Sequence, residues 1–217
     1  MVINLKRRYA KHCYVQGRRY HVTPIGDLPG ITTILTETNG HNFKQWRDNN
    51  PEESQRCLDR GLELHDACEF YFSDNWTRNS FVTTEEQGRL FIKLHKDILK
   101  DVQCAITEHQ VYSRLGFSGS LDCLGYWNGQ LTLFDWKTST KRKTPSQVID
   151  YLLQVSAYSY ALNELDGITV DKASVVIISE ELERCQLFEL NGDLINTYFA
   201  EFEKRLKWFQ ARTAIAS

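Results

Sequence analysis

Asp122, Asp135 and Lys137 are the residues whose types and spacing suggest chemistry. The stretch LTLFDWKTSTKRK, residues 131–143, is apolar and strand-forming until Asp135 and Lys137, and Lys141, Arg142 and Lys143 follow. A strand alternates its faces with period two. Leu131, Leu133, Asp135 and Lys137 therefore share one side, and Thr132, Phe134, Trp136 and Thr138 the other. On this stretch alone, a salt bridge at a strand end accounts for the two charges. The residues upstream add a constraint. DCLGYWNGQLTLFDWK carries Asn128-Gly129 between two alternating runs, a strong hairpin signal. A two-residue loop pairs Trp127 with Gln130, and counting back sets Asp122 directly opposite Asp135. Opposed side chains have Cβ atoms only ~4.5–5.5 Å apart, and like charges there destabilise a sheet. A divalent cation neutralises them, and carboxylate oxygens are the ligands that Mg²⁺ or Mn²⁺ prefers. Lys137, on the same face, is placed to orient an attacking water and help deprotonate it. Such a site suits phosphodiester hydrolysis. A protonated aspartate or a one-residue slip of register are the alternatives without metal. Removing either aspartate is expected to stabilise the metal-free fold.

The elements that must hold these residues are readable as patterns. Residues 1–36 look like short strands and turns, with PIGDLPG as a turn cluster. Residues 41–72 carry helical spacing through Trp46, Leu58, Leu62, His65, Cys68/Glu69 and Phe72. SDNWTRNS (73–80) reads as a loop and 84–101 as an amphipathic helix. Strands follow at AITEHQVYS, FSGSLDCLGYW and QLTLFDWK. A helix over about 146–165, strands at ASVVIIS and CQLFEL, and a final helix over about 193–213 complete the chain. Helices, a three-strand meander and a helix crossing over to a further strand make an α/β domain with a mixed sheet.

The 217 residues are 41% hydrophobic, enough for one substantial core. Lys and Arg total 26 against 28 Asp and Glu, a net charge of -2, so a polyanion would be held by local patches. Candidates are Lys6-Arg7-Arg8, Lys141-Arg142-Lys143, and Lys204, Arg205 and Lys207. Six cysteines show no CxxC pair and no zinc-like spacing, which suits reduced thiols of an intracellular protein. No apolar run approaches the ~20 residues of a membrane span. MVINLKRRYAKHCYV lacks a signal-peptide core, and reads as an Arg-rich transit peptide or as a first strand. The expectation is a soluble, cytoplasmic protein, in the host cytoplasm if phage-encoded, with no membrane association.

Asp122 followed by Asp135-Trp136-Lys137 resembles the PD-(D/E)XK nuclease signature in its RecB-like form, GxxD…DxKTS. RGLELH is similar to that branch's helix-borne histidine motif, and Gln154 to Tyr158 matches its QxxxY motif. Glu108 falls where the family often has an acidic residue on the preceding strand. LPGITTIL with FKQW resembles the entry segment of mitochondrial genome maintenance exonucleases and their phage relatives. The resemblance covers roughly residues 20–165. It implies a restriction-endonuclease-like core (about 105–190) in a single domain over 1–217, with a mixed sheet flanked by helices. An N-terminal helical elaboration (about 37–101) would arch over the site.

The resemblance also implies roles. Asp122, Asp135, the Trp136 carbonyl and His65 would hold Mg²⁺ or Mn²⁺, with Glu108 as a further ligand, while Lys137, Gln154 and Tyr158 would act with the aspartates in catalysis. Trp46, near Lys44 and Arg47, and Lys141, Arg142 and Lys143 would contact DNA. Each has a plainer reading too: His65 as a packed residue, Gln154 and Tyr158 as one face of a helix, Glu108 facing water. Only Cys185 follows the core, against an iron–sulfur cluster, and no phosphate-binding glycine loop argues for a nucleotide cofactor. The expected function is a metal-dependent DNA exonuclease acting on single strands or frayed ends in repair or recombination, with a helicase or recombination partner supplied by another chain. The alternative is a nuclease-fold DNA-binding module or the nuclease subunit of a larger complex.

Overall fold

Alternating residues build two separate sheets in this protein, for which a computed structural model describes residues 5–39, 43–73 and 85–215. The smaller sheet is antiparallel: β1 (Lys11–Val15), β2 (Arg18–Thr23) and β3 (Gly26–Pro29). Its first turn is Gln16-Gly17, with φ of 51° and 76°, the left-handed pair that a two-residue hairpin needs. The expected run of strands to residue 36 ends early. At Ile31 the chain enters α1 (Ile31–Thr38), which buries Ile31, Ile34 and Leu35. That i, i+3, i+4 stripe is too short to stand out from strand-like sequence.

The single helix expected over 41–72 is two, α2 (Phe43–Asn49) and α3 (Pro51–Tyr71). Proline disfavours helical backbone at the residue before it, yet suits the first position of a helix. Pro51 therefore ends one helix and starts the next. Residues 41, 42 and 84 and the expected loop beyond Ser73 lie outside the described residues. Next come α4 (Glu85–Asp97) and a 3₁₀ turn at Leu99–Asp101.

The larger sheet has the order β4 (Gln103–Ser113), β5 (Phe117–Trp127), β6 (Gln130–Ser139), β7 (Lys172–Ser179) and β8 (Gln186–Asn191). Only β6 and β7 run parallel; parallel neighbours need a crossover, and α5 (Ile149–Asp166) provides it. The chain closes with α6 (Gly192–Ile215). This is the mixed α/β arrangement expected. One sheet face packs Leu121, Leu124, Leu131 and Leu133 against α1, α5 and α6. The other packs Cys123, Phe134 and Trp136 against Leu64 and Cys68 of α3 and Leu90 and Leu94 of α4. Strand β6 thus alternates as its sequence dictates. Among the described residues, no helix is long and apolar enough to cross a membrane.

Where β5 passes beneath α5, only a hydrogen fits at Gly119. A Cβ there would collide with the Tyr158 ring and press on Ile31. Gly119→Ala should therefore cost about 1–3 kcal/mol, the usual effect of forcing an extra carbon into a packed core. The measurement is the urea midpoint at constant m-value; an unchanged midpoint would mean that Tyr158 yields freely.

Candidate active site

The hairpin register runs as expected from Trp127 opposite Gln130 to Cys123 opposite Phe134. It turns on Asn128 and Gly129, with φ of 50° and 77°. There the ladder stops, one pair short of the expected opposition of Asp122 and Asp135. Asp122 Oδ2 instead accepts the Trp136 N–H at 2.7 Å. A carboxylate has taken the place of a main-chain acceptor, so the buried amide stays paired where the strands part. Asp122→Ala would therefore remove repulsion and orphan an amide together, which corrects the expectation of simple stabilisation. On the other side of β5, pairing with β4 skips Glu108 and Asp122. Glu108 has φ 45°, a left-handed conformation uncommon for a residue with a side chain.

Helix α3 delivers His65, with Leu58 and Leu62 of the same helical spacing, on a face other than its buried one. The buried stripe is Arg60, Leu64, Ala67 and Cys68, while Leu58 and Leu62 are 55% and 64% exposed. Buried Arg60 pairs with Glu180 just beyond β7, which fixes this rotation. Leu58, Leu62, His65 and Glu69 consequently line a cleft of about 740 Å³. His65 Nδ1 lies 3.4 Å from Glu108 Oε1 and 3.5 Å from Asp122 Oδ1, and Nε2 lies 3.1 Å from the Trp136 carbonyl. Both ring nitrogens face acceptors, as in an imidazolium. Burial lowers the His65 pKa, but Asp122 and Glu108 outweigh it and raise it to about 9. His65, Glu108 and Asp122 offer ligand atoms within 4.8 Å of one another. Oxygen and imidazole donors without a thiolate suit a hard divalent cation.

Asp135 is fully buried and stands outside that trio. Its Oδ1 accepts a hydrogen bond from Lys137 Nζ at 2.7 Å. Its Oδ2 is also 2.7 Å from Nζ, but not in hydrogen-bonding geometry, and remains buried without a donor. A buried carboxylate oxygen in that state calls for a further positive partner. Burial, with Asp122 adding to it and Lys137 opposing, pushes the Asp135 carboxyl up to about 6. Burial also raises Asp122, against the pull of His65 and Lys137. For Lys137, burial favours the neutral amine, but Asp135 and Asp122 prevail and hold it as an ammonium. The charge stays on lysine. Its Nζ also sits 5.5 Å from the centre of the Tyr151 ring, a contact that sequence gave no sign of.

Gln154 donates from Nε2 to the Tyr158 hydroxyl at 2.6 Å, and both line the cleft. Burial first, then the two aspartates, keeps the Tyr158 phenol protonated. Trp46 lines the cleft as well, whereas Lys141, Arg142 and Lys143 do not. Backbone bonds to Ser139, Glu181 and Gln186 pin that basic loop elsewhere. The Lys44 side chain lies outside the described set. Lys204, Arg205 and Lys207 pair with Glu201, Asp150 and Glu203. The cleft's arginines are Arg7, Arg19 and Arg47, accompanied by Tyr9 and His12. Arg19 and His12 went unnoticed in sequence because they lie in a short hairpin far along the chain from the acidic residues.

Comparison with known proteins bears on this geometry. Residues 43–212 match the family model for the PD-(D/E)XK nuclease superfamily. The chain is 25% identical over 201 residues to mitochondrial genome maintenance exonuclease 1 of Homo sapiens, covering 83% of this chain and 57% of that protein. Identity to the Mus musculus protein is 24% over 199 residues, covering 83% and 58%. This chain thus spans a little over half the length of those curated relatives. Among solved structures, a Eubacterium rectale protein assigned as an exonuclease is similar at TM-score 0.49 and 12% identity, over 68% of this chain and 64% of that one. LHK-Exo in complex with dAMP is similar at TM-score 0.35 and 15% identity, over 86% and 83%. With its family model matched over most of its length and the acidic and lysine motifs gathered at one cleft, the chain belongs to the PD-(D/E)XK nuclease superfamily.

Proposed function

We propose that the protein is a metal-dependent deoxyribonuclease, an exonuclease working on single strands or frayed ends. The observation that carries this reading is the convergence of His65, Glu108, Asp122 and the Trp136 carbonyl beside the Asp135–Lys137 pair, at a cleft. Asp122, Asp135, His65, Glu108 and the Trp136 carbonyl would hold Mg²⁺ or Mn²⁺. The orphaned Asp135 oxygen and the imidazolium of His65 both fit a place where a cation belongs. When bound, the cation supplies charge neutralisation at the phosphoryl oxygens and a more acidic water. Lys137, held as an ammonium, orients the nucleophile and the phosphoryl group by its charge. In the metal-free chain it carries its proton, and a cation bound beside it would favour the neutral amine that a base requires. Gln154 fixes the Tyr158 hydroxyl as a donor toward the cleft.

The single-strand reading rests on the cleft's mixed lining. Apolar Leu58, Leu62 and Trp46 come from α2 and α3, and Arg19 and His12 from β1 and β2. Unpaired bases present faces to apolar and aromatic groups while the backbone tracks cations; a duplex hides those faces. End-labelled single- and double-stranded DNA with Mg²⁺, Mn²⁺ or EDTA is the direct test. The reading fails if no DNA is cut with either metal.

Three outcomes are expected beyond that assay. Lys137→Arg and Lys137→Ala should both keep single-strand binding and lose cleavage by at least ~10²–10⁴-fold, since a guanidinium fork cannot replace a compact ammonium at one point. Near-parental cleavage by the arginine variant would reduce Lys137 to a salt bridge.

Next, the double substitution Leu58→Ser with Leu62→Ser should weaken single-strand binding with an unchanged salt dependence. Arg19→Gln should instead lower the slope of log K against log salt by about 0.7, the value for one phosphate contact on a single strand. Equal slopes in all three proteins would sink this division of roles.

The last outcome concerns pH. The folded, metal-free chain holds protons on Asp135 up to about 6 and on His65 up to about 9, above their ordinary values of 3.8 and 6.5. Stability falls with pH wherever the native state binds more protons than the unfolded chain. His65 thus stabilises the metal-free fold below pH 6.5, and that contribution is lost as pH rises to about 9. Melting in EDTA should show the gap between parent and His65→Ala closing across that window. A gap that is constant with pH would mean that His65 is not the titrating group.

A further inference from the structure

The basic run Lys6-Arg7-Arg8 reads as a patch for polyanions, yet its arginines are engaged with the protein. Arg8 lies along the outer edge of β4: its N–H donates to His109 Nδ1 at 3.2 Å, and its carbonyl accepts the Gln110 N–H at 2.9 Å. Its guanidinium donates to both Asp166 oxygens at 2.8 and 2.6 Å, which anchors the segment to α5. Arg7, thus placed, reaches two elements at once. Its Nε donates to the Glu108 carbonyl at 3.3 Å, and its Nη1 pairs with Glu69 at 2.5 Å. Glu69 is one turn beyond His65 on α3, so Arg7 bridges the two elements that supply His65 and Glu108. The carbonyl it binds belongs to the residue with φ 45°, where β4 leaves its pairing with β5. A left-handed non-glycine residue persists only when its surroundings hold it there.

We propose that Arg7 is a positioning residue for Glu108, clamping β4 in the left-handed turn that brings the Glu108 carboxylate to His65 and Asp122. This rests on the reading of those three as metal ligands. A planar guanidinium satisfies a carbonyl and a carboxylate together, which an ammonium does less well. Partners that orient a metal ligand typically matter ~10–100-fold in metal affinity. Arg7 lines the cleft but acts on the site through Glu108, by holding its backbone to α3.

The test is a double-mutant cycle read by Mn²⁺ calorimetry on the full chain: parent, Arg7→Gln, Glu108→Gln and both. Arg7→Gln should weaken Mn²⁺ binding ~10-fold or more, yet add nothing once Glu108 is already Gln. Additive losses would place Arg7's effect elsewhere, and unchanged Mn²⁺ affinity in Arg7→Gln would end the proposal. Glu69→Gln, which cuts only the α3 end of the bridge, should weaken binding less and in the same direction, and serves if Arg7→Gln fails to fold. Amide exchange of the metal-free protein reads the clamp separately: the Gln110 amide should exchange faster in Arg7→Gln while amides of α5 keep their protection. If the parent takes up no Mn²⁺, the metal reading falls. Unaltered protection of Gln110 would then sink the clamp on its own account.

Discussion

A backbone amide that loses its strand partner must find another acceptor, and at Trp136 that acceptor is the Asp122 carboxylate, 2.7 Å away. This bond lets β5 and β6 separate after Cys123 and Phe134 without leaving a buried N–H unpaired. The separation frees the Trp136 carbonyl to meet His65 rather than a neighbouring strand. On the opposite side of β5 the Glu108 kink makes a matching gap. A side chain that only bound a cation would leave the sheet closed. Asp122 both pairs the Trp136 amide where the strands part and turns its other oxygen toward His65, so fold and candidate site depend on the same carboxyl group.

Three carboxylates so close together would repel one another, and the protein answers with two cations of its own. Lys137 neutralises Asp135 from the same strand face, a consequence of period two. His65, protonated, faces Glu108 and Asp122 from α3. Both are held charged in the metal-free chain: Asp135 and Asp122 keep the lysine an ammonium, and Asp122 and Glu108 raise the His65 pKa to about 9. In the metal-free chain the acidic cluster is thus balanced from within, by a lysine on its own strand and a histidine from α3.

Much of this was legible in sequence because it depends on local rules. The Asn128-Gly129 hairpin, the faces of β6 and the crossover helix before β7 follow from turn chemistry and periodicity, and each stands where it was expected. Asp122, Asp135, Lys137, Gln154 and Tyr158 were found through spacing and family likeness, and the fold does bring them to one region. What was misread depends on tertiary partners. The end of the β5–β6 ladder is decided by a side chain competing with the main chain, which pair counting ignores. The rotation of α3 is set by Arg60 reaching Glu180, 120 residues away, and the helical spacing of Leu58, Leu62 and His65 does not by itself say whether that face meets the core or the cleft. The basic loop at 141–143 looked well placed along the chain, but backbone bonds to β8 and the segment before it fix it outside the cleft.

The family's short motifs acquire physical reasons in this setting. In Gly119-x-x-Asp122, the glycine is bare because the Tyr158 ring of the glutamine–tyrosine motif occupies the space where a Cβ would stand. Two motifs 39 residues apart are thus one steric unit, and the hydroxyl of Tyr158 is aimed by Gln154 only if β5 leaves room for the ring. Arg60 and His65 likewise share a helix because one must be buried to point the other outward. The exposed leucines follow from the same rotation. Isolated exposed apolar residues need no explanation, but these two line the same cleft as Trp46. The net charge of the chain is -2, and the acidic cluster itself repels phosphate. Holding a polyanion there, as the proposed function requires, needs attraction that does not depend on a global positive field, and contact of unpaired bases with apolar side chains would provide it.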